Sequence, residues 1–294
     1  MRILLTGGSG FIGKNIIEQL TSRHEVIAPS HSALDLIVGE QVDQFFAENV
    51  FDVILHSAIK PGHRNAKDFS GLLDADLRMY FNLAKNAEKH KIKMFHFGSG
   101  CCYDMNFYRT KMAEDYMGTH IPTDPTGFAK YIASLHALKS GYVTDLRIFG
   151  IFGKYEDYSI RFISNAICKA LHGLPVTLRQ NRSFDYVYID DFIRLLDLMM
   201  ASDLKHHAYN ITPTASASLY DLALIVKELS SNPVLPVEVA LEGMGVPYSG
   251  DNTRLSEEFP DFAFTDIQES VRDLYNWYAQ NKDHINRAVL LFDK

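Results

Sequence analysis

Arg2-Ile3-Leu4-Leu5-Thr6-Gly7-Gly8-Ser9-Gly10-Phe11-Ile12-Gly13 decides the fold. Ile3, Leu4 and Leu5 form an unbroken apolar run, the pattern of a short strand covered on both faces. Glycines follow at once, and the segment from Ile12 to Leu20 then carries apolar residues at helical spacing. Strand, tight turn and helix in that order predict a place where backbone amides receive a pyrophosphate. Gly7 permits the sharp turn, Gly10 lets backbone approach the phosphates, and Gly13 lets helix and strand pack closely. The helix N-terminus adds N–H groups and the positive end of its dipole. Ser9, Phe11 and Ile12 belong to the same turn.

The alternation continues outward. Strands are expected at Glu25–Ala28, Phe51–His56, Met94–Phe97 and Val143–Ile148, the last closing the series. Helices are expected near Gly39–Asn49, Leu72–His90 and Phe128–Ser140. Such alternation predicts βαβ units and a doubly wound, mostly parallel α/β (Rossmann) sheet. After Gly153 the pattern loosens. A helix near Ile160–His172 precedes an extended stretch at Asp185–Ile189, and a further helix begins at Asp190-Asp191, whose carboxylates suit an N-cap. Helices near Leu219–Ser230 and Ile267–Asn281 follow. Two intertwined lobes are expected: a dinucleotide-binding domain (1–153 with 184–212) and a smaller C-terminal α/β substrate lobe (154–183 with 213–294).

Composition bounds the function. In 294 residues, 47% are hydrophobic and 22% charged, a balance that supports a large core rather than disorder. The net charge of −7, with scattered Lys and Arg, argues against a nucleic-acid partner, which needs a clustered positive face. No stretch approaches the ~18 apolar residues of a membrane span. The apolar run at the N-terminus is too short for a secretory signal. Three cysteines, Cys101, Cys102 and Cys168, show no disulfide or zinc spacing, and a reducing, cytoplasmic setting is expected. The twelve histidines show no metal spacing, and His206-His207 reads as a loop pair.

The second strand runs into Ala28-Pro29-Ser30-His31-Ser32, where a dinucleotide site selective for NAD carries an acid. Without that carboxylate, Ser30 and His31 tolerate a 2′-phosphate. The expected cofactor is therefore NADP(H), with NAD as second choice. Asp35 and Leu36 are placed to flank the adenine.

Together these segments resemble the extended short-chain dehydrogenase/reductases, the NAD-dependent epimerase/dehydratase family. The likeness runs through the glycine turn, His56-Ser57-Ala58 at the third strand end, Tyr186-Val187-Tyr188-Ile189-Asp190-Asp191, Gly250-Asp251-Asn252-Thr253-Arg254-Leu255, and Trp277-Tyr278. Ala58-Ile59-Lys60-Pro61-Gly62 and Gly98-Ser99-Gly100-Cys101-Cys102-Tyr103 look closest to the GDP-fucose synthase subgroup and its 4-keto reductase relatives. The resemblance implies an enzyme acting on a nucleotide-activated sugar, cofactor contacts from Ser57, Ala58 and Lys130, and a homodimer formed through the helix after Leu72.

It also implies a catalytic set, from which this chain departs. In the family a Tyr serves as acid/base, a Ser binds the reacting oxygen, and a Lys four residues after the Tyr lowers the phenol's pKa and holds the nicotinamide ribose. Here Ser99 and Lys130 fit, but Thr126 stands at the Tyr position. An aliphatic hydroxyl is a far weaker acid than a phenol of pKa ~10. Three explanations stay open: another acid near in sequence (Tyr103, Tyr108, Tyr131 or Cys101), a proton from substrate or water, or loss of turnover with binding retained. The residues expected to line the substrate are Lys60, Cys101, Tyr103, Arg161, Arg182 and Arg254, the guanidinium groups because their forked donors suit a diphosphate. Two functions are therefore carried forward: a keto-sugar nucleotide reductase with an altered acid/base site, and a cofactor-binding protein that senses or partners without efficient turnover.

Overall fold

The computed structural model describes residues 1–62 and 66–292. Its elements, in chain order, are β1 (Arg2–Thr6), α1 (Phe11–Leu20), β2 (Glu25–Ile27), α2 (Gly39–Glu48), β3 (Val53–His56), α3 (Leu72–His90), β4 (Lys93–Ser99), α4 (Pro125–Ala137), β5 (Val143–Ile148), β6 (Gly150–Phe152), α5 (Phe162–Leu171), β7 (Val176–Asn181), β8 (Ser183–Phe184), β9 (Tyr186–Tyr188), α6 (Ile189–Ala201), β10 (Ala208–Ile211), β11 (Ala217–Ser218), α7 (Leu219–Leu229), β12 (Val237–Met244), α8 (Thr253–Glu258) and α9 (Ile267–Gln280).

Six strands form one sheet in the order β10-β5-β4-β3-β1-β2, every pair parallel. The order reverses beside β1, where β2 lies on one side and β3 on the other. That reversal opens a crevice at the carboxyl ends of the strands. Strand alternation divides the core. Ile3, Leu5, Val53, Leu55, Phe95 and Phe97 face a cluster that includes α1, α5, α6, α7 and α9 residues. Leu4, Ile54 and Met94 face a second cluster with α2, α3 and α4. The first cluster runs without a break from the sheet into the C-terminal helices, so both halves of the chain share one interior.

Several expectations are corrected. The series does not close at β5, because Ala208–Ile211 adds a sixth strand at the sheet edge. Four buried residues after a His-rich loop carry little periodic signal of their own. The helix expected from Phe128 begins at Pro125, where Asp124 accepts from the Gly127 amide at 2.8 Å and proline occupies the first turn. Asp190 and Asp191 do not cap α6, whose N-cap is Tyr188. Asp191 is buried and accepts from the Thr265 amide and hydroxyl (2.8 and 2.7 Å), tying α6 to the segment before α9. The short pairs β6–β9, β7–β12 and β8–β11 were not foreseen as strands, apart from the extended stretch at β9. No helix among the described residues is long and apolar enough to cross a membrane.

Candidate active site

The turn after β1 is set by van der Waals limits. Gly7 has φ +73°, and a Cβ there would stand 2.8 Å from the Ala58 nitrogen, so both its conformation and its neighbour demand glycine. A Cβ on Gly13 would stand 2.2 Å from the Gly7 carbonyl oxygen. α1 therefore docks directly on the turn. Its N-cap, Gly10, offers no side-chain cap, so the first-turn amides are left to whatever anion arrives. This backbone cradle fits a dinucleotide pyrophosphate.

Beside it lies a cavity of about 540 Å³ lined by Gly7, Gly8, Ser9, Ser30, His31, Leu36, Ala58, Ile59 and Lys60, among others. A second cavity of about 550 Å³ is lined by Ile12, Ser57, Ile59, Ser99, Cys101, Thr126, Lys130, Glu156, Arg161, Arg182 and Tyr248, among others. Ile59 belongs to both walls, so the two cavities adjoin at this residue just after β3.

Ser99 ends β4. Its Oγ accepts from the Cys101 amide at 3.3 Å and lies 3.1 Å from the Tyr248 hydroxyl. Lys130, one helical turn after Thr126 on α4, donates to the Phe97 carbonyl at 2.8 Å. Burial presses its ammonium below the usual lysine range, partly offset by the Asp76 carboxylate. Beneath it sit two buried imidazoles, His56 and His96, with ring centroids 5.3 Å apart. Burial, and then the Lys130 charge, lower His56 to about 3, and His96 falls well below its usual value for the same reasons. Both rings are neutral under the site. His56 Nδ1 is 2.8 Å from Thr6 Oγ1, which accepts from the Ala58 amide at 3.3 Å. The floor is thus a hydrogen-bonded chain linking β1, β3 and the 57–60 segment. The Thr126 hydroxyl lies close under Gly62, 3.3 Å from where a Cβ there would stand.

Most expected positions come together here. Gly7, Ser9, Gly10, Gly13, Ser30, His31, Leu36, Ser57 and Ala58 belong to the turn or to a cavity wall, and Ile12 reaches the second cavity. Phe11 instead packs on the core. Asp35 turns its carboxylate to the Ile37 amide (3.0 Å) rather than into the cavity. Among the substrate candidates, Cys101, Arg161 and Arg182 line the second cavity, Cys101 as a thiol that burial pushes up and keeps neutral. Arg182 stacks its guanidinium over Phe184 at 5.1 Å. The other three lie outside the second cavity and have partners within the protein. Lys60 lines the cofactor-side cavity, its ammonium held by Asp68 at 2.8 Å and by the Ser70 carbonyl. Tyr103 is buried, donates to Asn210 Oδ1 (2.9 Å) and accepts from Arg147 (2.7 Å). Arg254 is engaged by Asp115 and Glu114.

The Arg147 network explains why Tyr103 is withdrawn. Arg147 is fully buried. It reaches Ser134 Oγ (2.7 Å), Asp145 (3.1 Å), the Glu114 carbonyl (3.2 Å) and Tyr103. Asn210 joins from β10, donating to the Met112 and Asp251 carbonyls (2.7 and 2.9 Å). A buried guanidinium needs that many partners, and the network holds the 103–114 loop against β5 and β10.

Two wall residues escaped sequence reasoning. Tyr248 comes from a loop remote in sequence. Glu156 is buried, its Oε1 without a hydrogen-bond partner among the described residues, and burial raises its carboxyl to about 7. Among the described residues no cluster of His, Cys, Asp and Glu could hold a metal.

A family model described as "NAD dependent epimerase/dehydratase family" matches residues 3–212. The chain is 34% identical to the GDP-L-colitose synthase of Yersinia pseudotuberculosis over 107 residues, spanning 35% of each chain, so it matches only about a third of that relative's length. Among solved structures, it superposes on the GDP-mannoheptose C4 reductase of Campylobacter jejuni with NADP bound at TM-score 0.79 and 18% identity, covering 94% of this chain and 98% of that one. It also superposes on the Bordetella bronchiseptica enzyme WbmG in complex with NAD, at TM-score 0.80 and 19% identity over 96% and 95% of the two chains. At these identities the structural likeness speaks for the fold alone.

Proposed function

The chain belongs to the NAD dependent epimerase/dehydratase family, and on that premise we propose that it is an NAD(P)-dependent oxidoreductase acting on a nucleotide-activated keto-sugar. The observation that carries this reading is the adjacency of the two cavities, which share Ile59 in their walls. One space ends at the glycine cradle, and the other holds Ser99, Thr126 and Lys130. When bound, the cofactor supplies or accepts a hydride at the sugar carbon. In this reading Ser99 hydrogen-bonds the reacting oxygen, and Lys130, steadied on the Phe97 carbonyl, holds the nicotinamide ribose. Arg161 and Arg182 face the substrate's diphosphate. The absence of an acid within Ala28-Pro29-Ser30-His31-Ser32, directly after β2, favours NADP(H). Residues 1–153 with 184–212 serve the cofactor, and 154–183 with 213–294 the sugar nucleotide. The family resemblance extends to a homodimer through α3, and Phe81 on α3 and Leu135 on α4 are exposed apolar residues. Sedimentation velocity tests that assembly.

The reaction is tested by following NADPH and NADH oxidation with 4-keto-6-deoxyhexose nucleotides carrying guanosine, uridine or thymidine diphosphate. Stoichiometric oxidation with at least one of them is expected. Thr126 favours a second reading, a binding protein without turnover. Cofactor binding with no oxidation on any substrate would select it.

A further inference from the structure

We propose that Tyr248 is the catalytic acid of this site, supplying the phenol that position 126 does not. The proposal rests on the keto-sugar reductase reading above. Tyr248 lines the cavity that holds Ser99, Thr126 and Lys130, and its hydroxyl lies 3.1 Å from Ser99 Oγ. A carbonyl oxygen has two lone pairs and accepts from two donors at about 2.8 Å each. Two hydroxyls this close on one wall can bracket a single reacting oxygen, and among the described residues no other phenol hydrogen-bonds Ser99 Oγ.

The other candidates are committed elsewhere. Tyr103 is locked into the Arg147 network. Tyr108 donates to the Gly100 carbonyl. Tyr131 is buried on α4 and lines neither cavity. Cys101 is a neutral thiol.

Tyr248 is also held in place. Its amide donates to the Ser183 carbonyl at 2.9 Å, and its carbonyl accepts from the Asp185 amide at 3.2 Å. Its ring packs against Phe149, Tyr108 and Phe184 at centroid distances of 5.1, 5.2 and 5.7 Å. An acid fixed on three sides meets the positional demand of proton transfer. Burial raises the phenol above its ordinary value, so it remains protonated through the neutral range. It can then still protonate an oxygen that is becoming an alkoxide, a stronger base than phenolate.

The step balances as follows. The carbonyl carbon takes a hydride from the reduced nicotinamide, which is oxidised. The C=O π pair moves onto oxygen. Oxygen then forms its O–H bond with the Tyr248 proton, and the phenolate left behind regains a proton from solvent. The net change is one ketone, one reduced cofactor and one proton converted to one alcohol and one oxidised cofactor.

The test uses the full chain, NADPH and whichever keto-sugar nucleotide the unmodified protein reduces. Tyr248→Phe should lower kcat by about 100-fold or more. By calorimetry it should leave the NADPH Kd within about twofold and weaken the keto-sugar nucleotide by less than about tenfold, the cost of one hydrogen bond. Adding Thr126→Tyr to Tyr248→Phe should recover at least about tenfold of the lost rate. Should Tyr248→Phe fold poorly, a fluorotyrosine at 248, with its more acidic phenol, should move the alkaline limb of the kcat profile to lower pH. Near-normal kcat in Tyr248→Phe, or an unmoved profile with fluorotyrosine, would overturn the role of Tyr248 while leaving the reductase reading intact. Absence of turnover with every keto-sugar nucleotide overturns both.

Discussion

The turn at residues 7–13 takes its chemistry from backbone, whereas the corner where Ser99 meets Tyr248 takes it from side chains delivered by segments 149 residues apart. In the turn, what matters is the absence of atoms: a Cβ on Gly13 would overlap the Gly7 carbonyl. In the corner, what matters is a set of buried polar and aromatic groups that hold two hydroxyls beside each other. A site made of backbone is robust to change nearby and intolerant of one added carbon. A site made of side chains depends on residues that never touch the ligand.

The sharpest way to break this contrast is Arg147→Ala. It removes no cavity-lining group, yet leaves Asp145 buried without its guanidinium. A loss of about 3–5 kcal/mol is expected, read from the denaturant midpoint. A change below 1 kcal/mol would mean that the corner is not held by that network. Gly13→Ala should cost cofactor affinity by ~100-fold, about 3 kcal/mol, because α1 must lift off the turn. Calorimetry with NADPH measures it, and unchanged affinity would show that the cradle is not the phosphate site.

Glu156 sharpens the contrast through pH. Its folded value is about 7 against an ordinary 4.5. Below 4.5 both states are protonated and the residue contributes no pH-dependent difference. As pH rises from 4.5 to 7, the unfolded chain ionises and the folded one does not, so stability falls. Above 7 the penalty is complete. Glu156→Gln should therefore stabilise the protein by about 2–3 kcal/mol at pH 8 and add no such gain below pH 4.5. A pH-independent difference in melting would contradict the raised pKa. The smallest effect is expected at the cofactor's far end. Ser30→Asp should shift the ratio of NADPH to NADH affinity by about tenfold towards NADH, through repulsion of a 2′-phosphate. Equal affinities before and after would remove Ser30 from that contact.

The same contrast explains what could be read in advance. The glycine turn was legible because its requirement is local: glycine spacing, a buried strand before it and a helix after it all lie within one stretch. β1 and β3 were legible because strands covered on both faces are continuous apolar runs, whereas the partly exposed β2, and β5, which carries Asp145 and Arg147, were placed by their alternation with helices. β10 was not, since its four residues sit at the sheet edge only by pairing with β5. Ser99 and Lys130 were singled out by resemblance alone, as was the reading of Thr126 as a departure from the family. Tyr248 was invisible, because nothing in Val246-Pro247-Tyr248-Ser249 marks a loop that packs beside the end of β4. Lys60, Tyr103 and Arg254 suited a ligand by residue type, while their partners, Asp68, Arg147 and Asp115, are known only from the fold. Glu156 gave no motif, since its altered acidity comes entirely from burial.

The central claim is that the amides around Gly7–Gly13 bind a nicotinamide dinucleotide. Isothermal titration of the purified chain with NADPH and, separately, NADH tests it most directly. The account predicts saturable binding with one site per chain, tighter for NADPH and weakened ~100-fold in Gly13→Ala. No measurable heat of binding with either dinucleotide would contradict it.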